Sequence, residues 1–260
     1  MAPIEPADPR LLPYRRLRDL DLGREDGLVA LEGELVLRRA VACGASVRSV
    51  LATAGWVDRL ADLDLPVLVV DQALMDGIVG YPIHRGLVAM AERPDARSVA
   101  EVAAGARTVA ALEAVNDHEN LGALFRNAAA FGVDAVVLDD RCAEPLYRRS
   151  IRVSLGHVLA VPHARSGRWI DELEEAGLDL VALTPDPAAA PVELLADLGR
   201  VALLLGAEGP GLSPATLSRA RHRVRIPMAP GVDSLNVATA AAIAFHHRFE
   251  TGARRAGGEV

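Results

Sequence analysis

The sequence predicts an α/β protein in two parts. A small N-terminal α/β sandwich precedes a C-terminal domain built on a mainly parallel sheet. Three observations carry this. Continuous Val/Leu/Ala runs recur through the second half and read as strands buried on both faces. Helical patterns separate them, as parallel connections require. A polar, small-residue stretch from Arg93-Pro94-Asp95-Ala96-Arg97 to Gly105-Ala106 interrupts the apolar segments and marks a boundary. The chain therefore divides into a domain at 1–93, a linker at 94–107 with a short helix near Val99–Ala104, a second domain at 108–251, and a loose tail at 252–260.

In the first domain a helix around Leu11–Leu20 leads to a strand at Leu28–Leu31. A helix over Glu34–Ala42 and a strand at Val47–Leu51 follow. A helix over Trp56–Leu63, a strand at Val67–Val70, a helix over Gln72–Ile78 and a strand at Leu87–Met90 complete it. In the second domain the predicted strands are Thr108–Leu112, Ala135–Leu138, Val158–Val161, Leu178–Leu183, Val201–Leu205 and Val224–Ile226. An alanine-rich helix over Val237–Glu250 closes it, so its backbone can approach a neighbour closely.

Composition sets bounds. The 260 residues are 51% hydrophobic and only 3% aromatic, so the core is aliphatic. Lysine is absent; all basic residues are arginine. The net charge of -7 is unusual for a partner of nucleic acid, but phosphate is met by local patches rather than by the sum. Arginines cluster at Arg15, Arg16 and Arg18, at Arg148, Arg149 and Arg152, and at Arg219, Arg221, Arg223 and Arg225. For any one cluster a solvated face is the commoner explanation, ahead of a binding patch. Cys43 and Cys142 fit no metal or redox spacing, which points to a reducing cytoplasm. No His/Cys/Asp ligand cluster suggests a metal. No secretory signal or membrane-spanning apolar run is present.

Three segments follow predicted strands, where open parallel sheets bind ligands. They are Asn120-Leu121-Gly122-Ala123-Leu124-Phe125-Arg126-Asn127, then Leu205-Gly206-Ala207-Glu208-Gly209-Pro210-Gly211-Leu212, then Ile226-Pro227-Met228 through Ser234-Leu235-Asn236-Val237. Each has an ordinary explanation when taken singly. The first is a capped helix with an arginine, the second a flexible strand-to-helix turn, and the third N-capping by Asp233 or Ser234. A dinucleotide site is excluded locally, because no G-x-G-x-x-G follows the first strand of either half. No Walker A pattern exists.

In order and placement, however, the three segments resemble the motifs of the SpoU (TrmH-like) branch of the SPOUT RNA methyltransferases. The resemblance covers Thr108 to Phe249. Between motifs, Pro145-Leu146-Tyr147-Arg148-Arg149 and Ser150-Ile151-Arg152-Val153-Ser154-Leu155-Gly156 are similar to the family's arginine-bearing turn. Asp117-His118-Glu119 departs from the Asp-Pro pair many members carry, and Ala238-Thr239 departs from the usual small or Ser residues. Ala30-Leu31-Glu32-Gly33-Glu34 and Gly86-Leu87-Val88-Ala89-Met90 resemble the small RNA substrate-binding domain attached to many members.

The resemblance implies a trefoil-knotted cofactor domain, although threaded chains are otherwise very rare. It implies transfer of a methyl group from S-adenosylmethionine to a ribose 2′-hydroxyl, without a metal. It assigns Gly206, Ile226, Leu235 and Met228 to the cofactor, with Leu183 and Thr184 on the adenine side. It places Arg126 at the centre of catalysis, with Asn120, Glu208, Ser234 and Asn236 around it. RNA contacts fall to Arg148, Arg149, Arg152, His84 and Arg85. It implies a homodimer with shared sites, and ribosomal RNA ahead of transfer RNA because an added substrate domain is common among ribosomal members. A non-catalytic assembly factor of the same fold and an unrelated nucleotide-dependent α/β enzyme are the competing readings.

Overall fold

The protein is described by a computed structural model over residues 4–15, 17 and 27–256, with side chains to residue 249. Arg16, Arg18 and the end of the tail, 257–260, lie outside the described residues. The chain divides into two compact units, Met1–Asp95 with Glu144–Ala160, and Ala96–Ala143 with Val161–Val260. The segment 144–160, which the sequence places within 108–251, thus belongs to the first unit.

The first unit holds β1 (Leu28–Glu32), α1 (Glu34–Ala42), β2 (Val47–Ala52), β3 (Val67–Val69), α2 (Gln72–Val79) and β4 (Leu87–Glu92). The sheet order is β1-β4-β2-β3. β4 pairs antiparallel with both β1 and β2, and β3 runs parallel to β2. Its core gathers Leu11, Tyr14, Leu28, Leu51, Met75, Ile78 and Met90. Tyr14 is buried and its hydroxyl bonds Ser49 Oγ at 2.7 Å, which satisfies the polar end of an otherwise apolar side chain. One predicted helix, Trp56–Leu63, is 3₁₀ turns instead; the predicted helix Leu11–Leu20 begins as a 3₁₀ turn, Leu17 is helical, and 18–20 lie outside the described residues. Pro9–Tyr14 carries Pro13 inside it, and Ala54–Trp56 and Asp58–Leu63 have no side-chain cap, so these three segments do not sustain α-helical bonding.

The second unit begins with α3 (Val99–Ala103), whose start is a capping box between Ser98 and Glu101. It continues through β5 (Thr108–Glu113), α4 (His118–Ala130) and β6 (Ala135–Leu138). The chain then leaves for α5 (Arg148–Val153) in the first unit, and returns as β7 (His163–Arg165). Then come α6 (Trp169–Glu175), β8 (Asp179–Leu183), β9 (Ala190–Pro191), β10 (Val201–Gly206), α7 (Pro214–Arg219), β11 (His222–Arg225) and α8 (Val237–Ala256). The predicted strand Val158–Val161 is a 3₁₀ turn at His157–Leu159, entered from Gly156 at φ +81°; the strand starts after Pro162. The tail is helical as far as Ala256.

The seven strands lie in the order β7-β6-β5-β10-β8-β11-β9, and every described pair is parallel. Alternate strand residues face opposite sides. On one side Val109, Ala111, Val137, Leu180, Ala202 and Leu204 meet Val99 and Val102 of α3 and Trp169 and Leu173 of α6. Elsewhere in the unit α4 and α8 pack against each other, and bury Phe125 and Phe245. Asn127 of α4 donates to the Ala238 carbonyl of α8 at 2.8 Å, locking the pair.

Candidate active site

Parallel pairing puts the carboxyl ends of β5, β10, β8 and β11 side by side along one edge of the sheet. The residues that follow three of these strands line a cavity of about 540 Å³. Leu183 ends β8 and Thr184 and Pro185 follow it, Gly206 ends β10 and Ala207 through Leu212 follow it, and Ile226 and Met228 follow β11. Ser234, Leu235, Asn236 and Val237 at the start of α8 close it, with Leu217 of α7. The volume lies in the range of small-molecule sites.

The turn after β10 explains its glycines. A Cβ on Gly206 would lie 2.2 Å from the Gly211 carbonyl carbon and 2.3 Å from the Leu212 nitrogen, so the returning chain rests on the bare Gly206 backbone. Gly209 and Gly211 take φ of +84° and +69°, which side-chain-bearing residues rarely adopt. The Gly211 amide closes the turn by donating to the Ala207 carbonyl at 3.0 Å. Glu208 and Pro210 project from it, exposed.

Asn236 joins all three motifs. Its Oδ1 accepts from the amides of Ala238 at 2.9 Å and Thr239 at 3.1 Å, so Asn236, rather than Asp233 or Ser234, caps α8. Its Nδ2 donates to Asn120 Oδ1 at 2.7 Å and to Glu208 Oε1 at 2.6 Å. Asp117 caps α4 by accepting from the amides of Glu119 and Asn120, which sets Asn120 in the first turn. Arg126 is exposed, bonds to no described residue, and does not line the cavity.

All six residues assigned to the cofactor line this cavity, as do Glu208, Ser234 and Asn236. Apolar walls and bare backbone, with few polar groups, fit a flat, partly apolar cofactor such as S-adenosylmethionine. The assigned RNA contacts lie in the first unit. His84, Arg85 and Arg149 are exposed. Arg148 is nearly buried, bonded to Glu32 Oε2 at 3.0 Å with its guanidinium 4.3 Å from the Tyr81 ring centre, and Arg152 reaches the same carboxylate at 3.6 Å. A buried carboxylate needs such counter-charge, so Arg148 is structural in this fold. Arg219 and Arg221 are likewise paired, with Asp171, Glu174 and Asp179. Pro185 and Leu217 escaped the sequence reading. Pro185 directly follows two named residues, whereas Leu217 sits on a helix too short to recognise from its period.

Comparison with known proteins places this geometry. The model of the SpoU rRNA Methylase family matches residues 107–246. The chain belongs to that family. It is 47% identical to an uncharacterized tRNA/rRNA methyltransferase of Mycobacterium bovis, over 95% of this chain and 91% of the relative. It is 34% identical to the 23S rRNA (guanosine-2′-O-)-methyltransferase of Bordetella pertussis, over 66% of this chain and 73% of the relative. Among solved structures, the AdoMet-bound rRNA methyltransferase of Sinorhizobium meliloti superimposes with a TM-score of 0.80 at 25% identity, covering 96% of this chain and 95% of that one. The protein is an S-adenosylmethionine-dependent RNA methyltransferase.

Proposed function

We propose that the enzyme methylates a ribose 2′-hydroxyl, that its substrate is ribosomal RNA, and that it works as a cytoplasmic homodimer. The observation that carries the first part is Asn236 bonding Asn120 and Glu208 together beside the cavity. The similarity to a 23S rRNA guanosine 2′-O-methyltransferase supports the acceptor and the RNA class. Strand order supports the family's knot: β10 lies between β5 and β8, and β11 lies beyond β8, so the chain crosses β8 between them.

When bound, S-adenosylmethionine supplies an electrophilic sulfonium methyl. Gly206, Ile226 and Leu235 would hold it through backbone groups, with Leu183, Thr184 and Met228 on the apolar wall. The protein's work is to orient the incoming hydroxyl and manage one proton. Asn236 cannot take that proton: both Nδ2 hydrogens and its Oδ1 are already engaged. It fixes Glu208, whose Oε1 accepts one bond and whose exposed carboxylate keeps capacity to accept from the hydroxyl. Ser234 lines the same mouth. Arg126 stays cationic and grips phosphate or developing alkoxide rather than acting as a base.

Asn120 and Arg126 are six residues apart on α4, hence about 9 Å along the axis and about a third of a turn around it. Asn120 faces its own Asn236, so Arg126 points elsewhere and serves the partner's pocket. A partly exposed aromatic cluster where the end of α4 meets α8 supports the dimer. Phe131 lies 5.6 Å from His246 and 6.3 Å from Phe249, which is 49% exposed.

The test is to supply the protein with methyl-labelled S-adenosylmethionine and, separately, ribosomal and transfer RNA from cells lacking this gene. Label should enter ribosomal RNA and be released on digestion as a 2′-O-methyl nucleoside. Label on a base, or in transfer RNA only, would reject the corresponding part of the proposal, and no label in ribosomal RNA would reject it as the substrate.

A further inference from the structure

A second polar cluster lies at the same sheet edge but outside the cavity lining. We infer that Glu113, Arg141 and Asp139 form a strap that ties the loop after β10 to the loop after β5, and that Glu113 and Arg141 are positioning residues for methyl transfer.

Glu113 is the last residue of β5, 4% exposed, and sits in register beside Gly206. Its Oε2 accepts from the Ser213 amide at 3.0 Å and its Oε1 accepts from Arg141 Nη2 at 2.9 Å. Arg141 Nε donates onward to Asp139 Oδ2 at 2.9 Å. Asp139 Oδ1 accepts from the amides of Ala114 and Arg141, each at 3.0 Å. Arg165 fixes the base of the assembly by donating to the carbonyls of Asp139, Cys142 and Ala143.

Both ends of the strap reach functional loops. Ser213 closes the Gly206–Leu212 turn and caps α7, on which Leu217 faces the cavity. Ala114 opens the loop to Asp117 and Asn120, and it stands at φ +55°, a strained conformation for a residue with a side chain. The Asp139 bond to its amide holds it there. Two carboxylates, each with a side chain only 5% exposed, thus depend on one arginine that is 63% exposed. Buried carboxylates stay charged and fixed only while paired. Since none of the three lines the cavity, their action on the cofactor passes through backbone: Glu113 sets how the returning chain lies on Gly206, and Asp139 sets where Asn120 begins.

The inference rests on this cavity being the cofactor site, so its test has one arm that needs no cofactor. The full chain is compared with Arg141→Gln, Arg141→Lys, Glu113→Gln and the Arg141→Gln/Glu113→Gln pair. Amide exchange at Ser213 and Ala114 should be at least about tenfold faster in Arg141→Gln, the scale of losing charge-assisted hydrogen bonds. S-adenosylhomocysteine affinity by calorimetry should fall at least about tenfold. Lysine should not rescue it, because a point charge cannot span both carboxylates as the planar fork does. The double variant should bind no more weakly than the weaker single one, because the two residues act as one unit. A lowered melting temperature with unchanged exchange and unchanged affinity would show a merely stabilising network and overturn the inference, as would rescue by lysine.

Discussion

At the scale of single residues the site depends on what is missing as much as on what is present. Gly206 has backbone, not a flexible side chain, against its absent Cβ. Gly206→Ala therefore overpacks the turn, at a cost of about 1–3 kcal/mol, and should weaken S-adenosylhomocysteine at least about tenfold by calorimetry. Gly209→Ala is the control: open space surrounds it, and only its φ of +84° opposes a side chain, at about 1–2 kcal/mol. Equal affinity in wild type and Gly206→Ala would refute this account of the turn. The cavity-lining residues were legible because glycines and short apolar runs at strand ends are local patterns. Arg148 was not, because its partner Glu32 lies 116 positions away. Nor was Arg141, whose bond to Glu113 spans 28. Ion pairing across such distances leaves no trace in spacing.

At the scale of elements, the end of a helix and the end of a strand create unlike environments for the two cysteines. Cys43 follows α1 and is exposed, whereas Cys142 is buried beyond β6 and donates to the Leu112 carbonyl at 3.3 Å. Burial first, and the Asp139 carboxylate second, push the Cys142 thiol up to about 12. Since the thiolate is the reacting species, and a raised value keeps the thiol protonated until pH approaches it, only roughly one in a thousand would be thiolate at pH 9. Alkylation with iodoacetamide between pH 7 and 9, read by mass spectrometry, should label Cys43 and spare Cys142; comparable labelling of both would contradict the burial argument. The long elements were the readable ones. Buried strands such as Val201–Gly206 and the long helices α4 and α8 have enough residues to show a pattern. α5, α6 and α7 have six or seven residues each, under two turns, and their periodicity cannot be told from a loop.

At the scale of the whole molecule, a net charge of -7 coexists with an RNA substrate because phosphate is met locally: many described arginines are paired with carboxylates, whereas Arg126 keeps an exposed side chain with no described partner. Arg126 lies in the first motif, about a third of a turn around α4 from Asn120, and this offset makes the proposed assembly testable. Arg126→Ala should lower turnover at least about a hundredfold, the effect of losing one preorganised charge-stabilising group. Cofactor affinity should hardly change, since Arg126 does not line the cavity. Arg126→Ala and Asn236→Ala proteins, each inactive, are then mixed and allowed to exchange subunits. If Arg126 serves the partner's pocket, a mixed dimer gathers both defects in one site and leaves the other whole, so activity returns. If it serves its own pocket, each site carries one defect and activity stays low. Light scattering decides the premise: a monomer in solution, or undiminished turnover in Arg126→Ala, would reject the shared-site dimer.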